Sequence, residues 1–173
     1  MDLNLDLSLP SYSPELGDFR NQNLDSALYT LVDLSTSELE SIASLLDEWM
    51  RKQGNEGPHL VRLAPSNHFV GKSLNDIVTT HIQMDKEETP RDDAGATGDL
   101  SWYPSAFLAV TSNEWKKHGI LFVYADTEQM GFPMDKFFFV PKDGYMMLSS
   151  IIFGDEECAR SKEEFAISHE PCS

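Results

Sequence analysis

The stretch AFLAVTSNEWKKHGILFVYADTEQMGFPMDKFFFV, residues 106–140, decides the fold. It holds three apolar runs, AFLAVT from Ala106, ILFVY from Ile120 and KFFFV ending at Val140. Each is short, rich in β-branched or aromatic residues, and bounded by turn-formers, which is the pattern of a buried strand. None alternates between apolar and polar residues, so the three read as strands covered on both faces of a layered domain. SNEWKKHG, between the first two, is long enough for one helical turn. DTEQMGFPMD, between the last two, supplies Gly131 and Pro133 for a loop.

Upstream, ALYTLVD (27–33) reads as a first strand. It runs into STSELESIASLLDEWMRKQG, where Leu39, Ile42, Ala43, Leu46, Trp49 and Met50 recur at helical spacing. Ser35 with Glu38, or Ser37 with Glu40, forms a capping box at its start, and Arg51, Lys52 and Gly54 suit its end. HLVRL (59–63) is a second strand. A second helix begins at Ser73 and turns Leu74, Ile77, Val78 and Ile82 inward. Residues 85–99 hold six acids, Pro90 and two glycines, and read as a solvated loop. Downstream, Asp143-Gly144 marks a tight turn. MMLSSIIF is a strand or a helical turn, and EECARSKEEFAIS is a final helix with Cys158, Ala159, Phe165 and Ala166 inward. The order β-α-β-α-β-β-β-α predicts an α/β domain over 26–168. Its mixed five-stranded sheet is parallel in the first half and antiparallel in the second. Residues 1–25 are a flexible acidic segment and 169–173 a frayed end.

The charge is the one bulk property out of the ordinary. The 13 lysines and arginines face 29 acids, giving −16 with no basic block. That field repels nucleic-acid phosphates and anionic membrane surfaces, and it favours a protein partner that brings a basic patch. No run approaches the roughly 20 apolar residues that span a bilayer. Asp2 and Asp6 stand where a secretion signal needs positive charge. Cys158 and Cys172 are too few for a disulfide framework. The expectation is an intracellular, cytoplasmic protein.

Three sets of residues invite a chemical reading. The first is SNHFVGKS (66–73), between a strand and a helix. Its Gly71, Lys72 and Ser73 match the end of a phosphate-binding G-x-x-x-x-G-K-[ST] loop, which needs glycine to turn amides toward phosphate, lysine to reach it and a hydroxyl for magnesium. With Ser66, Asn67 and Asp126, which ends a strand as a second magnesium ligand would, it forms a nucleotide-binding alternative. Against it, Ser66 replaces the first glycine and His68, Phe69 and Val70 make the loop bulky. The plainer reading is a glycine turn with Ser73 as helix cap and Asp76 behind it.

The second set is Leu3, Leu5, Leu7 and Leu9, which fall on one side of an extended chain with Asp2, Asn4, Asp6 and Ser8 on the other. This resembles the leucine-repeat repression motif of plant transcriptional regulators, which implies recruitment of a corepressor; the plainer reading is an edge strand. The third is the polar group that parallel first strands would gather at their carboxyl edge: Asp33, Ser35, Ser66, Asn67, Thr111 and Asn113.

The five histidines, His59, His68, His81, His118 and His169, make no H-x-H or H-x-x-x-H pair, and His169 with Cys172 is at most half a metal site. There is no G-x-S-x-G, and acids around Cys158 would raise its pKa. The reading is of no catalytic residue, no metal and no cofactor, in a non-catalytic domain acting through protein–protein contact.

The strand ending in Asp33, the glycine at Gly71, the strand ending F-x-V-P at Pro141 and the late E-E-F at Phe165 together resemble a small domain of unknown function found in actinobacterial and fungal proteins. The resemblance covers about 26–168 and implies this fold. It implies no activity. The family keeps the glycine turn without the lysine, and the acidic 85–99 insertion departs from its pattern.

Overall fold

A five-stranded sheet in the order β2-β1-β3-β4-β5 forms the middle layer, with β1 at Ser26–Thr30, β2 at Val61–His68, β3 at Ala106–Val110, β4 at Ile120–Ala125 and β5 at Met134–Phe139. The computed structural model describes residues 4–13, 16, 25–48, 60–88, 102–103 and 105–168. Strands β1, β2 and β3 are parallel; β4 and β5 are antiparallel to their neighbours. The expected mixed sheet is therefore present. Every residue of β1, β3 and β4 is buried, whereas β5 is half-buried at the edge.

The two faces are covered differently. On one, Leu28, Leu108, Phe122 and Phe139 of the strands meet α1 (Thr36–Leu46), α4 (Gly144–Ile152) and α5 (Cys158–Phe165), while α3 is the single turn Trp115–His118 before β4. On the other, Tyr29, Phe107, Leu121 and Val123 meet α2 (Leu74–Glu88) through Leu74, Ile77 and Val78. Five strands at about 4.8 Å spacing make a sheet roughly 20 Å wide, and one helix covers only about 10 Å of it.

The remainder of this second face is covered by the amino-terminal segment. Leu5, Leu7 and Leu9 are half-buried against it, with Leu16 fully buried beyond them, while Asn4, Asp6 and Ser8 face outward. Half-burying a leucine contributes on the order of 1 kcal/mol. The segment is a strap lying against the domain, not a detached tail. Its period-2 pattern arises because the sheet takes every second side chain. Leu3 lies outside the described residues.

Both sheet edges are blunted. The Met134 amide donates to Ser11 at 3.1 Å and the Ile167 amide to Phe138 at 2.8 Å, so a terminal segment closes each end of β5. At the other edge, β2 carries Pro65 within the strand, where an unpaired position suits a residue with no N–H.

Several boundaries differ from expectation. β2 runs on to His68, so Ser66 and Asn67 belong to a strand and not to a loop. α2 continues through Glu88, because Asp85–Glu88 are followed by no glycine or proline until Pro90 and include good helix formers; residues 89–99 lie outside the described residues. α1 ends at Leu46; Trp49, Met50, Arg51, Lys52 and Gly54 lie outside the described residues. The capping box is Ser35 with Glu38. MMLSSIIF is helical, in α4.

The expected tight turn at Asp143-Gly144 is instead a 3-10 turn, Pro141–Asp143, leading into α4, with Gly144 helical at φ −57°. The glycine is there for space: a Cβ would meet the Leu46 side chain and the Phe139 ring, 3.1 Å away. In α5 the fully buried residue is Ser161, while Cys158, Ala159, Phe165 and Ala166 are half-buried. Gly144→Ala should therefore force α4 away from α1 and cost about 1–3 kcal/mol. Urea unfolding should show a lower midpoint at unchanged slope; an unchanged midpoint would show that the contact is slack.

Candidate functional site

The crevice between β1 and β2 sits where an α/β sheet usually places a ligand. The chain leaves β1 toward α1 on one face and leaves β2 toward α2 on the other, which opens a gap at the strands' carboxyl ends. Here β2 bulges. Leu28 lies beside Leu63 but Thr30 beside His68, so two steps along β1 correspond to five along β2. Asn67 Nδ2 closes the bulge by donating to the Ala64 carbonyl at 2.7 Å. His68 Nε2 donates to the Leu34 carbonyl at 2.7 Å and ties it to the start of α1. An open depression of about 500 Å³ results, lined by Thr36, Ser66, Asn67, His68, Phe69 and Lys72 among others.

The loop spends its polar groups on itself. The Phe69 amide donates to Thr30 at 2.8 Å and the Lys72 amide to Phe69 at 3.0 Å. Gly71 takes the positive φ of +75° that the turn requires. Lys72 lies back over the Phe69 ring, 5.5 Å from its centroid. Ser73 caps α2: its amide and hydroxyl donate to Asp76 at 2.8 and 2.9 Å, and the Asp76 amide donates back to Ser73 Oγ at 3.2 Å. The next amide, of Leu74, donates to the Asp6 carbonyl of the strap at 2.9 Å. A phosphate at this helix terminus would meet the Asp76 carboxylate already in its place. The start of α1 is occupied likewise, by Glu38 bonded to Ser35.

Asp126 is not part of this site. Because β4 is antiparallel to β3, its carboxyl end lies at the opposite edge of the sheet, where the Ala125 amide donates to Ser105. Asp126 organises the turn after β4, accepting from the Glu128 amide at 3.1 Å and from Gln129 Nε2 at 2.6 Å. The structure thus brings Ser66, Asn67, Gly71, Lys72 and Ser73 together and leaves Asp126 a strand's length away. The wider polar group is also divided: Ser66 and Asn67 line the crevice, whereas Asn113 lines a separate depression with Glu38, Trp115 and Lys117. Asp33 and Ser35 are exposed and Thr111 is half-buried.

His81, on the buried face of α2, is wholly enclosed. Its Nε2 donates to the Tyr103 carbonyl at 3.2 Å, so Nδ1 accepts from the Tyr29 hydroxyl at 2.9 Å. That partnership ties α2 to β1. His118 is a surface residue 3.5 Å from Glu114, and His59, His169 and Cys172 lie outside the described residues. Among those described, no group of three or more histidines, cysteines, aspartates or glutamates is placed to hold a metal ion.

At the opposite edge lies a feature that sequence reading missed. Asp126, Glu128, Asp155, Glu156 and Glu157 line one depression of about 360 Å³, with Cys158 and Tyr103 at its floor. Burial, and then the charge of Asp126, pushes the Cys158 thiol up to about 12. Residues 126–128 and 154–158 come together because α4 carries the chain back across the sheet, and no local spacing announces that meeting. Comparison with family models, with curated proteins and with solved structures returns no match.

The Asp76 carboxyl is held below its ordinary value, first by the Ser73 amide and then by the Ser73 hydroxyl. Glu38 is held down in the same way by Ser35. A lowered folded-state pKa gives stability that is present above the unfolded value near 4 and lost as pH falls through the folded one. Asp76→Asn should therefore flatten the acid limb of thermal stability and lower the plateau at neutral pH. A parallel acid limb in wild type and variant would show that the cap does not hold. Magnesium–ATP should leave the melting temperature of the wild type and of Lys72→Ala equally unmoved, and a shift in the wild type alone would establish the nucleotide alternative.

Proposed function

We propose that this chain is a non-catalytic α/β domain that acts in the cytoplasm by contact with a protein partner carrying a basic patch. The observation that supports the reading is the depression at the amino edge of β3. Among the described residues, five carboxylates line it and no lysine or arginine does, in a chain of net charge −16. Arg160 reaches Glu156 from the side at 3.3 Å, and the other four acids have no basic neighbour among the described residues of the lining. Like charges gathered on low-dielectric walls focus the field outward, which speeds encounter with a cationic surface and rejects anionic ones. No helix among the described residues is long and apolar enough to cross a membrane.

Recruitment through the leucine repeat is a second reading, and the strap bears on it directly. Leu5, Leu7 and Leu9 face the domain, so they become available to another protein only when the segment leaves the sheet.

An arginine-rich peptide titrated into the isotope-labelled chain should shift the amide resonances of residues 126–128 and 154–158 first, with an affinity that falls as salt rises. Replacing the exposed Glu128, Asp155 and Glu157 together by lysine should weaken that binding about tenfold or more. Shifts spread evenly over the whole surface, or binding indifferent to the triple replacement, would remove the basis for a basic partner at this depression.

A further inference from the structure

The strap is held by means that do not depend on its being part of the same chain. Three leucines at alternate positions enter the trough between the start of α2 and β5, and none is fully buried. The Leu74 amide reaches the Asp6 carbonyl at 2.9 Å and Lys136 Nζ donates to the Leu7 carbonyl. Asp6 and Lys136 also attract each other: burial lowers the Lys136 pKa, and Asp135 and Asp6 oppose that. The trough therefore reads an extended backbone, a period of two and one acid, all of which the decapeptide MDLNLDLSLP contains by itself.

The next residues are held separately. Ser13 and Ser11 pair with the chain around Phe132 and Met134, and Leu16 is fully buried. Pro10 lies between the two parts, so residues 4–9 can leave the trough while 11–13 and Leu16 stay.

We propose that residues 4–9 are an exchangeable strap and that the trough takes the same segment of a second copy of this chain. The occupant is a second copy because this segment has the leucine period and the acid that the trough fits, and exchange of an identical element needs no new interface. Pro10 is the only residue between the two parts and spans about 7 Å between its flanking Cα atoms, so the exchanged pair brings the two hinges together beside its two-fold axis. Each copy carries −16, so the exchanged pair forms more readily as salt screens their repulsion. The inference is independent of the acidic depression, which lies at an edge of the sheet and not beside the strap.

The test uses the full chain. Light scattering over rising concentration, at low and high salt, should show the mass moving from one copy toward two, further at high salt. Excess synthetic peptide 1–10 should return the mass to one copy and raise deuterium uptake in the chain's own residues 4–9. A peptide with leucines and polar residues interchanged should do neither. Leu5→Asp with Leu7→Asp should keep the strap out of either trough and abolish the pair, and Lys136→Glu, which loosens the same contact in one copy and in two, should raise deuterium uptake in residues 4–9 at every concentration. If the double variant does not fold, the peptide competition on wild type decides. A mass fixed at one copy overturns the proposal even if the peptide binds, since the trough would then serve another protein's segment. A pair that survives both the peptide and the double variant overturns it too, since it would use another surface.

Discussion

A five-stranded sheet that is apolar on both faces must be covered on both, and the way this chain meets that requirement determines most of its structure. One face receives three helices. Among the described residues the other receives one helix, α2, which is too narrow for five strands. The uncovered side of β4 and β5 presents Leu121, Val123, Met134 and Phe138, and the amino-terminal leucines close over it. The leucine alternation is thus a property of the sheet expressed in a distant segment. Buried hydrophobic area drives the docking, while two main-chain carbonyls and one lysine fix its register.

The carboxyl edge shows how local satisfaction removes a site that topology offers. Both helices that begin there start with a serine followed three residues later by an acid, and in both the acid returns to the cap. A helix terminus attracts an anion because its first amides lack partners and its dipole is positive. When a side-chain carboxylate three residues on supplies the charge and the acceptor, little remains for a ligand. The crevice is formed by a bulge around Pro65, and the polar side chains within it, Asn67 and His68, are turned to nearby carbonyls.

What the sequence revealed follows the range of the interactions concerned. The strands of the 106–140 stretch, the face of α1, its Ser35–Glu38 cap and the Ser73–Asp76 cap depend on neighbours within a few residues, and periodicity or spacing displays them. The bulge in β2 depends on how β1 lies beside it, and HLVRL followed by a polar proline segment looks like a strand that has ended. Gly144 looked like a turn residue because Asp-Gly favours turns, but its position is set by Leu46, nearly a hundred residues earlier. In the sequence Asp126 and Lys72 look like parts of one site because each ends or follows a strand. The direction of β4, which places them at opposite edges, is a pairing property that no local window contains. The acidic depression and the enclosed His81 were hidden for the same reason.

The distribution of charge follows from the same packing. Three of the described cations join elements: Lys136 holds the strap, Lys162 joins α5 to Asp135 of β5 at 2.7 Å, and Arg62 pairs with Asp25 and lies 4.2 Å over the Trp102 ring. Burial works against ionisation of Asp135, but the Lys162 hydrogen bond prevails and holds the carboxyl below its ordinary value. Tyr124, whose hydroxyl donates to the same carboxylate, is pushed up by its burial and by that charge. These three tie segments down, and some acids serve the fold without a cation, Asp47 by accepting from the Leu60 amide and Glu38 and Asp76 by closing helix caps; the remaining acids in excess stay at the surface. They collect at edges and turns such as 126–128 and 154–157, where the chain reverses and water solvates them at little cost. A surface left negative in this way keeps copies apart at low salt, so any contact the domain makes must either bring positive charge or rely on an element, like the leucine strap, whose contacts are apolar.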